Sequence, residues 1–108
     1  MKYPKRYIEF DKQNISLPSL KDNISKNPIE HKSAVLSYLK KDDFIKAASP
    51  GISCDLFSGD HISRDCLLYS DGIFTWDYRY VYYFEKHNLD LGSEFISHIL
   101  SKIAKKEE

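Results

Sequence analysis

With 108 residues, 16 Lys/Arg against 16 Asp/Glu and zero formal net charge, the chain lacks the basic excess of a general nucleic-acid binder. Its 42% apolar and 30% charged composition suits one folded domain over residues 1–108, and no apolar run approaches membrane-spanning length. The start Met1-Lys2-Tyr3-Pro4-Lys5-Arg6 has no apolar core of an export signal, so the expectation is a cytoplasmic protein with two reduced, buried thiols, Cys54 and Cys66.

Residues 1–26 are polar and basic, with Tyr3, Tyr7, Ile8, Phe10, Ile15, Leu17, Leu20 and Ile24 scattered at no sustained period. They read as an extended arm draped over a compact body at 27–105, with a short strand possible only at Tyr7–Phe10. Asn27, Pro28 and Glu30 form an N-cap, a first-turn proline and a capping-box partner, predicting a helix that ends near Lys40-Lys41 with Val35, Leu36 and Leu39 on its apolar stripe. Asp42-Asp43 interrupts it, Phe44–Ala48 reads as a short strand, and Ser49-Pro50-Gly51 forces a turn. Ile52–Phe57 reads as a short edge strand, followed by a turn at Ser58-Gly59-Asp60.

Asp71-Gly72 between the apolar runs Cys66–Tyr69 and Ile73–Trp76 predicts a hairpin with a two-residue type I′ turn, which pairs Ser70 with Ile73 and Tyr69 with Phe74. Alternation then puts Leu67, Tyr69, Phe74 and Trp76 on one face, the floor of the core. Asp77 caps a helix over Tyr78–His87 that is apolar on nearly every side, and Asn88 suits the left-handed residue that ends it. From Gly92-Ser93-Glu94 a last helix carries the clearest stripe in the chain, Phe95, Ile96, Ile99, Leu100 and Ile103. The fold class is therefore α+β: about three helices packed on a small antiparallel sheet built around a β-hairpin.

Catalytic chemistry finds little support. His31, His61, His87 and His98 include no pair at i, i+4, and the two cysteines match no zinc or redox spacing. A metal held by His61, Asp60, Asp65 and Cys66 has fewer arguments than an ordinary solvated turn. Cys66 with His61 or His87 as a nucleophile–base pair lacks anything that would lower the thiol pKa. No glycine-rich loop exists to cradle phosphate, and no cofactor is implied. The tyrosines of the second helix are sequence-tolerant stacking surfaces in principle, but only Arg79 and Lys86 lie near them, so core packing comes first and an interface role for the exposed ones second.

Charge is unevenly spread. Residues 1–46 hold ten Lys/Arg against six acids, whereas Asp55, Asp60, Asp65, Asp71 and Asp77 face only Arg64 within 55–77. Any one of these aspartates is most simply a turn residue, but five together leave room for an acidic contact face.

Two blocks, Glu30–Ala47 and Asp71–Trp76 with Tyr82-Tyr83-Phe84-Glu85-Lys86-His87-Asn88-Leu89, Leu91 and Glu94–Ile99, resemble small bacterial immunity proteins of polymorphic and contact-dependent growth inhibition toxin systems. The resemblance spans about the last three-quarters of the chain and consists of fold-determining residues; Gly92 departs from the proline of that pattern. It implies a cytoplasmic, non-enzymatic protein that binds one cognate toxin domain and occludes it, with a nuclease as the frequent target. A basic nuclease cleft would be met by Asp55, Asp60, Asp65 and Asp71, with Tyr78 and Tyr82 as anchors and Asp77 kept as a helix cap. A self-associating adaptor module and a small hydrolase using His61 and its neighbouring acids are the alternative readings. The oligomeric state stays open.

Overall fold

A computed structural model describes residues 2–8, 16–25, 31–48, 54–62 and 67–106. Three strands, β1 (Ile45–Ala48), β2 (Leu67–Ser70) and β3 (Thr75–Asp77), form an antiparallel sheet in that spatial order. Three helices, α1 (Lys32–Leu39), α2 (Tyr78–His87) and α3 (Ser93–Lys106), complete the α+β architecture. None of the described helices is long and apolar enough to cross a membrane.

The hairpin forms where Asp71-Gly72 places it, but two residues out of the expected register. Ser70 pairs with Thr75, Tyr69 with Trp76 and Leu68 with Asp77. Only Gly72 adopts positive φ (+95°) in the turn, whereas a type I′ turn needs it at Asp71 as well. Asp71 instead uses its side chain: Oδ1 accepts from the amides of Ile73 (2.9 Å) and Phe74 (2.8 Å), which widens the connection. A slip of two preserves which side chains share a face. Tyr69, Phe74 and Trp76 accordingly lie buried, with Leu67 half-buried.

Trp76 stands at the centre of the aromatic core. Its ring stacks on Tyr69 at 6.0 Å and 0°, lies 5.3 Å from Phe95, and receives Phe44 edge-on at 5.9 Å. Its indole N–H donates to the carbonyl of Leu39 at 3.3 Å, tying the sheet to the last turn of α1.

The predicted start of α1 at Asn27, Pro28 and Glu30 lies outside the described residues; the described helix opens at Lys32, after His31 at φ +61°. The His31 carbonyl still accepts from Val35 N and opens the helix at Lys32. Residues 54–57 depart from the predicted edge strand. Cys54 bridges His61 and the chain turns between them, leaving the Cys54 residue exposed where a buried thiol was expected. Cys66 and the Ser49-Pro50-Gly51 turn lie outside the described residues.

Helix α2 follows its sequence signals. The Asp77 carboxylate accepts from Arg79 N at 2.8 Å, and Asn88 closes the helix at φ +55°. Tyr80, Val81, Tyr83 and Phe84 are buried, the outcome of apolar character on several faces. The N-terminal segments contribute directly to the core through Tyr7 and Leu20, both fully buried. Lys2 pairs in parallel with Phe74, and Lys5 N donates to the Leu91 carbonyl at 3.0 Å.

That last contact explains Gly92. Its φ is +91°, and a Cβ there would stand 3.2 Å from Lys5 Cβ. Proline, fixed near φ −65°, cannot follow this route into α3. Gly92→Ala should cost about 1–3 kcal/mol through backbone strain, with displacement of the 2–8 segment. Thermal melting of that variant, with an alanine control at exposed Ser97, checks the expectation.

Candidate partner-binding surface

The acidic stretch resolves into carboxylates with different duties. Asp55 is buried, with 4% of its surface exposed. Its Oδ2 accepts from His87 Nε2 at 2.7 Å and from the Tyr82 hydroxyl at 2.8 Å, while Oδ1 accepts from Phe57 N at 2.8 Å. Burial alone would raise this carboxyl, but the hydrogen bonds from His87, Phe57 N and Tyr82 outweigh it and hold the pKa at about 2. Tyr82 moves the other way, to about 12, through burial and its bond to Asp55.

Asp71, in the turn between β2 and β3, repeats the arrangement. Its side chain is 3% exposed, and Oδ2 accepts from the Tyr38 hydroxyl and His98 Nε2, each at 2.6 Å. Burial again raises and is outweighed, here by bonds from Tyr38, Phe74 N, His98 and Ile73 N, so this carboxyl also sits at about 2. Each cluster thus joins an aspartate, a histidine and a tyrosine through a single carboxylate oxygen.

These findings correct the expectation of an outward face. Asp55 and Asp71 are spent inside the fold, because buried tyrosine and histidine tips need acceptors and these loops supply them. Asp77 caps α2 and pairs with Arg79 at 2.8 Å. Asp60 is exposed, while Asp65 lies outside the described residues. Tyr78 and Tyr82 are half-buried and pack against the core.

In both clusters the carboxylate meets a histidine ring nitrogen. An orienting carboxylate on histidine is half of a catalytic triad, but here the tyrosine donates to the same oxygen instead of standing at the other ring nitrogen. Among the described residues, no group of three His, Cys, Asp or Glu side chains could hold a metal ion, and His61 is an exposed loop residue.

The Asp55 cluster fixes the 54–61 loop against the C-terminal end of α2. Leu56 N donates to the Tyr83 hydroxyl at 3.0 Å, Asp55 N to the Asp60 carbonyl at 2.7 Å and Gly59 N to the Asp55 carbonyl at 2.8 Å. What this anchored loop presents outward is apolar: Leu56 is 48% and Phe57 42% exposed. The Phe57 ring rests on His87 at 4.5 Å, so its direction is set from below. Asp60 and Tyr82 lie beside it, close enough for Asp60 to act on the Tyr82 hydroxyl.

The chain matches no family model, no curated protein and no solved structure. The arrangement itself must therefore carry the functional reading. Sequence reasoning missed Leu56 and Phe57, which it placed in an edge strand. It also missed the partners of Asp55 and Asp71. One signal for those was available: eight tyrosines in so short a chain cannot all be buried without a comparable supply of acceptors.

Proposed function

We propose that this protein is an immunity protein that captures a cognate toxin domain through the 54–61 loop and the adjoining face of α2. The observation that carries the reading is the pair Leu56 and Phe57, held at the solvent on a loop bonded internally through Asp55. Exposed apolar anchors on a preorganised support are where binding energy concentrates, since little ordering entropy is lost on association. Tyr82 and Tyr78 extend the patch along α2, and Asp60 supplies charge at its rim. The resemblance of the Asp71–Ile99 block to toxin-system immunity proteins supplies the partner class. The nuclease form of the proposal rests on Asp60, exposed in the loop, as the acid that would steer toward a basic cleft.

The test starts from the gene immediately upstream, where this reading expects a toxin domain to be encoded, and proceeds by co-purification and titration with that domain. Leu56→Ala and Phe57→Ala should each weaken binding by about tenfold or more while the Leu56 variant keeps its melting temperature. Asp60→Asn should lower the association rate and its salt dependence with a smaller effect on dissociation. Unchanged affinity in both apolar variants would remove this surface from the proposal. The same exposed pair also fits self-association, so sedimentation of the isolated protein over a range of concentrations separates the two readings.

A further inference from the structure

The outer edge of β3 is met by the 2–8 segment for one step and then left. Lys2 pairs in parallel with Phe74: its N–H donates to the Ile73 carbonyl at 3.0 Å, and its carbonyl accepts from Thr75 N at 2.8 Å. Two residues on, the same ladder would need an N–H from Pro4 for the Thr75 carbonyl, and proline has none. The segment turns away instead, and Lys5 N donates to the Leu91 carbonyl. The hairpin register decides which groups stay on the edge. Asp71 N donates to the Phe74 carbonyl, so Tyr69/Trp76 is also a hydrogen-bonded pair, while Ser70/Thr75 and Leu68/Asp77 are pairs whose amides and carbonyls point away from each other. The Thr75 carbonyl and the Asp77 N–H therefore face the same outer edge, and among the described residues neither has a backbone partner there.

A cleft of about 370 Å³ opens at this point, within the size range of small-molecule sites, and it shares no residue with the 54–61 loop. Thr75 and Asp77 line it together with Tyr3 and Leu68, which are 60% and 38% exposed. The open edge is short, because Lys2 occupies it on one side and α2 begins at Tyr78 on the other. A strand from another protein would gain two hydrogen bonds here and could not extend the ladder. A planar ring can take both bonds and cover the apolar surface of Tyr3 and Leu68 as well. We propose that this cleft binds a flat, neutral heteroaromatic ring of the adenine type, its amino group donating to the Thr75 carbonyl and the adjacent ring nitrogen accepting from the Asp77 N–H. Such a ring leaves the ion pair between Arg79 and the Asp77 carboxylate, 2.8 Å, undisturbed in the same lining.

The probes are adenosine and purine riboside, which differ by the amino group alone, titrated into the full chain and followed by amide NMR shifts. Adenosine should saturate, with the Asp77 amide proton moving downfield and the other shifts confined to the surroundings of Tyr3, Leu68 and Thr75. Purine riboside has no donor for the Thr75 carbonyl and should bind about fivefold or more weakly. Tyr3→Ala, at a mostly exposed position, should weaken both probes alike and keep the preference for adenosine. Equal affinity of the two nucleosides for the wild-type protein, an unmoved Asp77 amide, shifts centred elsewhere or no saturation would each overturn the proposal. Saturation of the same amides by an extended Thr-Val-Thr-Val peptide and not by adenosine would give the edge to a partner strand and overturn it as well.

Discussion

Truncation of Trp76 to alanine is expected to cost about 3–5 kcal/mol, enough to consume much of the roughly 5–15 kcal/mol that stabilises a domain of this kind. The size of the effect follows from position. Trp76 is 1% exposed and contacts rings contributed by α1, β2, α3 and the turn before β1, through Tyr38, Tyr69, Phe95 and Phe44. No single neighbour can move into the space without leaving its own partners, so the cavity collapses poorly and the cost lies toward the upper end. Its N–H bond to Leu39 O is a separable part of the total. Trp76→Phe keeps a ring and loses that donor, and should cost about half as much. Urea unfolding followed by far-UV circular dichroism measures both variants. An alanine variant with an unshifted midpoint would mean that the sheet and the helices do not share this ring.

The contrast between Trp76 and Asp71 shows which parts of the fold the sequence made legible. Apolar alternation across a hairpin depends on period two alone, and it survived a register displaced by two residues. The ends of α2 were equally readable, because Asp77 and Asn88 act on amides and carbonyls within one turn of themselves. The turn geometry was not readable, because Asp71 serves two local amides and two side chains 33 and 27 residues away. A local pattern contains no information about those distant donors. The same limit hid Asp55, whose partners Tyr82 and His87 stand 27 and 32 residues further along the chain. Leu56 and Phe57 were misread for a related reason. Two apolar residues in a row look like strand until the long-range bond to Asp55 holds the chain in a turn. The surface proposed for partner capture therefore depends on an interaction visible only in three dimensions, although every residue in it is ordinary.

Replacing Asp71 by alanine should destabilise the protein by about 3 kcal/mol, the second largest single effect expected. The substitution removes the acceptor for Tyr38, His98 and the amides of Ile73 and Phe74 at once. Groups left buried without partners cost more than the net value of the bonds themselves, because their desolvation is no longer offset. Tyr38→Phe, which removes one donor and leaves the carboxylate bonded by three others, should cost only about 1 kcal/mol. The pH dependence supplies an independent check. Asp71 falls from the ordinary 3.8 to about 2 in the folded protein, and Asp55 does the same. Both folded values lie below the unfolded ones, so these groups stabilise fully above about pH 4, and that contribution is lost as the pH falls through about 2. The wild-type melting temperature should therefore drop steeply across that window. Asp71→Asn should start lower at neutral pH and fall less between pH 4 and 2, since one of the two linked protons has gone. Asp55→Asn should flatten the same window and also loosen the 54–61 loop, exposing the amides of Leu56 and Phe57 to faster hydrogen exchange. Equal acid slopes in wild type and both variants would show that neither carboxylate is held by the bonds described.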